Sequence, residues 1–266
     1  MPPTIKANTD FRNFEDSSST VRKCYNLMHA NQTVDFVQKK KNEYLTLDRL
    51  KLNIFDVLEK LNDVIDESDP DIGLPNIHHA YQAAEAARSD HPENKWLQLV
   101  ALIHDCGKLL TFYGEPHWAV CGDTYPVGCA PSDFVSCRNE GFDQCPDNQN
   151  PQYNTKYGMY QPNCGLDKLT MSWGHDEYMY QVLKRNGASI PQEGLNIIRY
   201  HSFYSWHSHE QYKHLLSDED EEALKWVRVF NQYDLYSKRD TPLDIDALRP
   251  YYECLAKEFL PDVLCW

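Results

Sequence analysis

The 266-residue sequence has no apolar run long enough to cross a bilayer, which takes about 18 residues. Its first residues lack the apolar segment of a secretory signal. Lysine and arginine number 26 against 40 acidic residues, and the net charge is −14. The only basic run, residues 39–41, is followed closely by acidic residues. We therefore expect neither a membrane nor a nucleic-acid partner, because phosphate backbones require clustered basic side chains.

The cysteines also lack a metal-binding pattern, since none of the nine forms a CxxC pair. Four recur every eight residues, namely Cys121, Cys129, Cys137 and Cys145. Structural zinc sites typically separate paired cysteines by about two to four residues, so this spacing argues against zinc. Reduced thiols in a cytoplasmic protein are the simpler interpretation.

Convincing strand alternation is missing as well, whereas helical periodicity runs through most of the chain. Between Thr46 and Asp66, apolar residues recur with the spacing of one buried helix face. Similar patterns predict further helices at Val21–Val37, Ile77–Arg88, Trp96–Leu110, His175–Arg185, Leu195–His201, Ser217–Tyr236 and Ile245–Phe259. Pro250 predicts a kink or a boundary in the last of these. The sequence therefore predicts one all-α domain.

Residues 114–165 interrupt this pattern with many glycine, proline, asparagine, aspartate and cysteine residues. An ordered connection of this length inside a compact domain usually serves function or has small structure of its own. We expect a long ordered loop with room for one or two short hairpins.

Four histidines and two aspartates fall on apolar helical segments. They are His79, His104, Asp105, His175, His201 and Asp234. One histidine on such a face is more often a hydrogen-bonded core residue, and a lone buried carboxylate is costly. Six together exceed the needs of one tetrahedral metal, so the simplest arrangement is two metals sharing Asp105. Imidazole and carboxylate donors leave iron, manganese and zinc open.

The order of these residues resembles the HD-domain superfamily, and the segments around them resemble one family, the myo-inositol oxygenases. The similar segments are residues 11–13, 66–71, 104–108, 122–129, 158–162, 171–182, 201–204 and 234–238. The resemblance covers residues 11–266 and implies a single HD-domain-like helical domain, preceded by a flexible tail at residues 1–10.

The resemblance implies two irons per chain, in a mixed-valent Fe(II)/Fe(III) pair bridged by Asp105. His79, His104 and Asp234 would complete one iron, whereas His175 and His201 would hold the other. The family pattern selects His79 over the adjacent His78. Asp176 is interpreted as polar support or a helix-start residue, and three histidines are expected on the surface: His207, His209 and His214.

The resemblance also implies substrate contacts. These fall on Arg12, Asp66, Glu67, Ser68, Lys108, Gly122, Asp123, His201, Ser202 and Lys238. Lys108 has independent support, because helix geometry could direct it from His104 towards the metals. The alternative is a surface lysine at a helix end. Without the resemblance, residues 66–71 would be a simple helix-ending turn.

The implied reaction converts myo-inositol and O2 to D-glucuronate and water, with no outside reductant. Two adjacent hydroxyls would bind the iron held by His175 and His201, and Lys108 would stabilise the resulting alkoxide. Lys108 and Asp105 are thus the catalytic candidates, in a protein expected to be monomeric.

Two alternatives remain at this point. An HD-type metal-dependent phosphohydrolase would share the ligands but would need several basic residues around an anionic substrate. A metal-stabilised binding protein without catalysis would have no open coordination position.

Overall fold

A computed structural model describes residues 12, 14–70, 74–238 and 241–266. The tail predicted at residues 1–10 lies outside the described residues. So do Phe11, Asn13 and Asp71, which belong to the segments that carry the family resemblance.

Most of the chain is helical. The α-helices are α1 (Ser19–Asn31), α2 (Val34–Tyr44), α3 (Ile54–Lys60), α4 (Asn76–Asp90), α5 (Lys95–Ile103), α6 (Pro146–Gln149), α7 (His175–Arg185), α8 (Gln192–Tyr200), α9 (Tyr204–His207), α10 (Asp220–Tyr236) and α11 (Ile245–Phe259). Short 3₁₀ helices span Leu61–Asp63, His104–Tyr113, His117–Ala119, Phe142–Gln144, Leu166–Lys168 and Lys213–Leu215. The prediction of an all-α domain is confirmed.

A small sheet is the exception to this helical architecture. Strand β1 (Lys51–Leu52) pairs antiparallel with β2 (Leu264–Cys265) near the C-terminus. The neighbouring Trp266 is fully buried, and its backbone N donates to Leu50 O at 2.9 Å. The end of the chain is therefore fixed against the core by backbone pairing and by one large aromatic side chain.

The apolar pattern between Thr46 and Asp66 predicts too long a helix. α3 begins at Ile54 because the Asn53 side chain caps it in a reciprocal capping box with Asp56. Leu50 and Ile65 belong to this apolar pattern, which predicts their burial, but they are 37% and 56% exposed. Similarly, the segment predicted at Val21–Val37 divides into α1 and α2 where Thr33 caps the second helix.

One further helix boundary differs from the prediction. α10 begins at Asp220 rather than Ser217, because Ser217 donates through its N and Oγ to Asp220 Oδ2 instead of capping the helix. The bounds predicted for α11 are confirmed, and Pro250 lies inside this helix.

The long segment at residues 114–165 is described throughout and contains no β-ladder. It contains short helical turns instead of the expected hairpins, and Pro126 forms one isolated bridge with Met171. Among the described residues, no helix is long and apolar enough to cross a membrane.

The functional centre lies where several helices meet. α4, α5, α7, α8 and α10 pack against one another, and the 3₁₀ helix His104–Tyr113 packs against α7. Their facing side chains include the apolar core together with a group of buried histidines and aspartates. The arrangement therefore brings polar groups from distant parts of the sequence into one enclosed space.

Candidate metal centre

The chain changes helix type where the centre begins. α5 ends at Ile103, and a 3₁₀ helix starts at His104. Because a 3₁₀ helix has about three residues per turn, residues three apart share one side. Asp105 and Lys108 are therefore neighbours, with Lys108 Nζ 2.9 Å from Asp105 Oδ2. This spacing, rather than the spacing from His104 in a continuous α-helix, directs the ammonium group into the centre.

Three of the buried histidines are anchored in the same way. In each, Nδ1 lies within hydrogen-bonding distance of a backbone carbonyl and is therefore assigned as the donor. The pairs are His104 with Ala101 O at 2.8 Å, His175 with Val120 O at 2.7 Å, and His201 with Ile198 O at 3.0 Å. A carbonyl on Nδ1 directs the Nε2 lone pair of each ring inwards, as in metal-binding histidines.

The inward nitrogens of two of these rings face each other. His175 Nε2 lies 3.2 Å from His201 Nε2. Two lone pairs at this distance repel unless a proton or a metal ion lies between them. His104 Nε2 is buried and has no hydrogen-bond partner. The donor set therefore fits a bound metal, because each of these nitrogens needs a cation.

A second group of ligand atoms surrounds Asp234 of α10. Asp234 Oδ1 lies 2.9 Å from His79 Nε2 and 3.5 Å from His104 Nε2. All three residues are buried, and their ligand atoms lie within 4.8 Å of one another. These three side chains could hold one metal ion.

Asp105 lies between the two groups. Its Oδ1 is 3.3 Å from His175 Nε2 and 3.9 Å from His201 Nε2. Its Oδ2 is 3.5 Å from His104 Nε2. Each carboxylate oxygen thus faces a different set of imidazoles, which is the geometry that a shared ligand requires.

Asp176 lies closer to the centre than a merely helix-starting residue would. Its Oδ1 is 2.8 Å from His175 Nε2 and 3.7 Å from His201 Nε2. The same carboxylate accepts hydrogen bonds from the backbone N and the hydroxyl of Ser202. Asp176 can therefore both support the imidazole pair and connect it to Ser202.

Burial and charge act in opposite directions on the protonation of the imidazole pair. Burial alone lowers the pKa of His175, but Asp176 and Asp105 raise it to about 10. The pKa of His201 lies below its ordinary value, because burial outweighs the carboxylates. Without a metal, His175 is thus the ring of this pair that favours a proton, and Asp176 Oδ1 lies closer to its Nε2, at 2.8 Å, than the His201 ring does. A metal ion would take the place of that proton.

We expect the apparent affinity for iron to depend more steeply on pH than it would at a site made of carboxylates alone. Because His175 keeps its proton up to a pKa of about 10, a metal must displace it at neutral pH. Apparent iron affinity should therefore rise with pH, by up to about tenfold per pH unit for each proton released. Equilibrium dialysis of iron at several pH values measures this. Asp176→Asn should flatten the dependence, whereas equal slopes in both proteins would contradict the argument.

Lys108 is buried beside two carboxylates and an amide. Its Nζ lies 2.8 Å from Asp66 Oδ2 and 2.9 Å from both Asp105 Oδ2 and Asn76 Oδ1. Although burial lowers the pKa of Lys108, Asp105 and Asp66 raise it well above its ordinary value. Lys108 is therefore a fixed cation at the metal edge and not a surface lysine.

The mouth of the pocket is formed by Arg12 and Asp123. Arg12 Nη2 lies 2.7 Å from both oxygens of Asp123 and donates to Ser136 Oγ at 2.9 Å. Tyr25 also donates to Asp123, at 3.1 Å. The guanidinium lies 3.4 Å from the centre of the Tyr204 ring. Several distant segments thus converge on one acidic residue.

Tyr204 connects this mouth to the metal centre, since its hydroxyl donates to Asp234 Oδ2 at 3.2 Å. Tyr204→Phe keeps the ring beneath Arg12 but removes that donor. We expect iron affinity to fall by about 10- to 100-fold, as for other outer partners of metal ligands, with little change in KM. Tyr204→Leu should also raise KM, because it removes the stacked ring. Iron titration and steady-state kinetics separate these effects, and an altered KM with normal iron binding in Tyr204→Phe would contradict them.

Of the other residues implied as substrate contacts, four line the pocket and one does not. Ser68, Gly122, Ser202 and Lys238 line the same pocket as the ligands, and Lys238 Nζ pairs with Asp69 Oδ2 at 2.6 Å. Glu67 is exposed and does not line the pocket.

The expectation that His207 lies on the surface is wrong. His207 is 1% exposed, and its Nε2 lies 2.9 Å from His201 O. His207 is the last residue of α9, which is buried throughout, while the next three residues are exposed. His209 is exposed as expected, and His214 is half-buried.

Sequence reasoning did not identify Asn76, Tyr25 or Tyr204 as part of the site. Asn76 lies three residues before His79 on α4, so helical spacing could have indicated it. Tyr204 begins a separate helix, α9, after a turn, so no helical spacing connects it to His201. Tyr25 has no such signal, because it reaches Asp123 across 98 residues of sequence.

Comparisons with known proteins find similarity over nearly the whole chain. A family model described as myo-inositol oxygenase matches residues 18–266. Proteins named inositol oxygenase from Danio rerio and Homo sapiens are 49% and 47% identical to it, covering 98% and 100% of this chain and 95% and 94% of theirs. Inositol oxygenase 5 of Arabidopsis thaliana is 50% identical, covering 100% of this chain and 87% of its own. The similarity includes every helix that contributes to the metal centre.

Proposed function

The chain belongs to the myo-inositol oxygenase family and is an oxygenase, and from this membership we propose that it cleaves the ring of myo-inositol with O2 to give D-glucuronate and water. The reaction balances, because the polyol gains the two atoms of O2 and loses one molecule of water. It is a four-electron oxidation, and O2 accepts all four electrons. No outside reductant is then needed in each turnover.

The observation that carries this proposal is the facing pair of imidazole nitrogens, His175 Nε2 and His201 Nε2, 3.2 Å apart. Both rings are fixed by carbonyls at Nδ1, so neither can turn its Nε2 away without losing a hydrogen bond. Asp105 Oδ1 lies 3.3 Å from His175 Nε2. A cation bound there would satisfy all three groups together.

Two irons per chain, in a mixed-valent Fe(II)/Fe(III) pair, are the cofactor that we propose from the family resemblance, and the donor set is compatible with it. Imidazole and carboxylate ligands without thiolate suit iron, and helical di-iron proteins arrange ligands from neighbouring helices in this way. His79, His104 and Asp234 would hold one ion, His175 and His201 would hold the other, and Asp105 would bridge. When bound, iron would supply the redox chemistry of O2 and lower the pKa of a coordinated hydroxyl.

Lys108 would hold the substrate oxygen that loses its proton. Its ammonium stays charged at neutral pH and lies 2.9 Å from the proposed bridging ligand. A fixed cation in a water-poor site stabilises developing negative charge more strongly than water does. Because its pKa is so high, Lys108 would act as an electrostatic partner and not as a general base.

The pocket wall offers side chains that can donate and accept hydrogen bonds, as binding of a polyol requires. Asp123 and Ser202 are buried side chains that line it. Gly122 has φ of +87°, a left-handed conformation that glycine adopts without strain, and this turn brings the backbone to the pocket wall. These groups would orient the ring so that adjacent hydroxyls face His175 and His201.

The charge of the pocket disfavours the alternative of a phosphohydrolase. Its three described cations already have carboxylate partners: Arg12 with Asp123, Lys108 with Asp66 and Asp105, and Lys238 with Asp69. A phosphate ester would have to compete with these carboxylates. A neutral polyol can join the existing hydrogen bonds without displacing a charge.

The cytoplasm is the compartment we propose, since all nine cysteines are free thiols. The monomeric state stays a prediction.

The test supplies the iron-loaded protein with myo-inositol under O2 and, separately, with a panel of phosphate esters. We expect O2 uptake that depends on both iron and myo-inositol, and no phosphate release. Phosphate release without O2 uptake would instead support the hydrolase. A protein that binds metal but consumes neither substrate would be a non-catalytic binding protein.

A further inference from the structure

A second group of metal-ligating side chains lies beside the pocket and outside the di-iron ligand set. Ligand atoms of Asp66, His117 and Cys121 lie within 4.8 Å of one another. Asp66 and His117 are half-buried, whereas Cys121 is 3% exposed. A carboxylate, an imidazole and a thiol are thus collected at one point from two separate segments.

Local backbone structure holds this group together. His117 is the first residue of a short 3₁₀ helix, and Cys121 N donates to His117 O at 2.8 Å. This hydrogen bond holds the two residues about one turn apart. Glu67 N donates to His117 Nδ1 at 3.4 Å, which connects the imidazole to the segment that contains Asp66. Asp66 Oδ1 is fixed by the backbone N and the hydroxyl of Ser68.

The chemistry of the three donors suits a borderline-soft divalent cation. Zinc is held by Cys, His and Asp side chains at about 2.0–2.3 Å, which places ligand atoms about 3.5 Å apart. Small side-chain movements would bring the present atoms to that spacing. Three protein ligands leave a fourth position for water, as in open zinc sites. The thiol also distinguishes this group from the di-iron ligands, which include no sulfur.

We propose that Asp66, His117 and Cys121 form a binding site for a soft divalent cation such as Zn²⁺, and that its occupation inhibits the enzyme. On binding, the Cys121 S–H bond breaks, the sulfur binds the metal, and the proton leaves to solvent. A divalent cation with one thiolate and one carboxylate is electrically neutral. The neutral unit replaces the single negative charge of the Asp66 carboxylate, so the net charge beside Lys108 rises by one.

Inhibition follows from the two residues that this site shares with the pocket. Asp66 Oδ2 is a partner of Lys108 Nζ at 2.8 Å, and a metal that draws on this carboxylate weakens the pair. Cys121 immediately precedes Gly122, which lines the pocket. Metal binding would thus alter both the position of Lys108 and the pocket wall. Bound substrate and bound cation should therefore each weaken the binding of the other.

The first experiment adds Co²⁺ to the fully iron-loaded protein and records its absorption spectrum. We expect a thiolate-to-cobalt charge-transfer band in the wild-type protein, absent from Cys121→Ser and much weaker in His117→Gln. Cobalt that replaced iron would give no such band, because the di-iron ligands contain no thiolate. Cys254→Ser removes an exposed thiol elsewhere and should leave the band unchanged.

The second experiment measures inhibition by Zn²⁺ and rests on the proposed oxygenase activity. The Zn²⁺ concentration for half-inhibition should rise roughly tenfold or more in Cys121→Ser, with basal turnover retained, and myo-inositol should protect the wild-type enzyme. A wild-type protein without a charge-transfer band, or a band that persists in Cys121→Ser, would overturn the site. Because the band is measured without turnover, that failure is distinct from a failure of the proposed function.

Discussion

Asp105→Asn should lower the iron content from two ions per chain to about one and should reduce turnover by at least about a hundredfold. Even outer partners of metal ligands contribute 10- to 100-fold, and a bridging ligand contributes more. The two carboxylate oxygens of Asp105 face His175 and His104 at 3.3 and 3.5 Å, so an amide cannot serve both sides as an anionic ligand. Iron analysis and O2 uptake on the same preparation measure the two effects.

The matched control for this variant is Asp147→Asn. Asp147 is a half-buried carboxylate outside the centre, and its Oδ2 accepts from Val34 N at 2.7 Å. An asparagine there can keep that hydrogen bond, so both iron content and turnover should stay normal. An Asp105→Asn protein with two irons and full activity would remove the bridging role from the account.

Lys108→Met should reduce kcat by about 10²- to 10³-fold while iron content stays near that of the wild type. This is the usual cost of removing one fixed group that stabilises developing negative charge. The ligand side chains are unchanged, so the metals should remain bound. The variant also leaves Asp66 without its cation, and breaking such a buried pair costs roughly 3–5 kcal/mol of folding stability. Thermal unfolding must therefore be measured beside kcat.

Lys40→Met separates lost stability from lost chemistry. Lys40 is largely buried and pairs with Glu115 and Glu43, away from the metal centre. Its replacement should lower the unfolding temperature while kcat is kept. If Lys108→Met also kept kcat, Lys108 would have only a structural role.

Helical periodicity predicted the helices that lie in the core. It failed where a capping residue sets a helix boundary or where pairing with a distant segment forms a strand. The buried faces of α4, α7 and α8 follow the apolar pattern closely, because burial itself produces that pattern. β1 could not be predicted, since its two residues depend on pairing with Leu264–Cys265 at the other end of the chain. The division between α1 and α2 depends on one cap, Thr33.

The candidate centre, too, could be predicted from the sequence only in part. The histidines and aspartates that we propose as ligands could be selected from the sequence, because polar residues on apolar helices are conspicuous and the family resemblance orders them. Asp66 was implied as a substrate contact and lines the pocket, but its pairing with Lys108 could not be predicted, since it spans 42 residues and requires the folded chain. His207 was misassigned for a local reason: the four-residue helix α9 is buried throughout, and only the polar residues that follow His207 are exposed.

The most direct test of the central claim is an anaerobic iron titration of the metal-free protein, with O2 uptake and glucuronate measured together at each step after myo-inositol is added. The account predicts activity that rises until two irons are bound per chain, with about one molecule of glucuronate formed for each O2 consumed. Saturation at one iron, or O2 uptake without glucuronate, would contradict it.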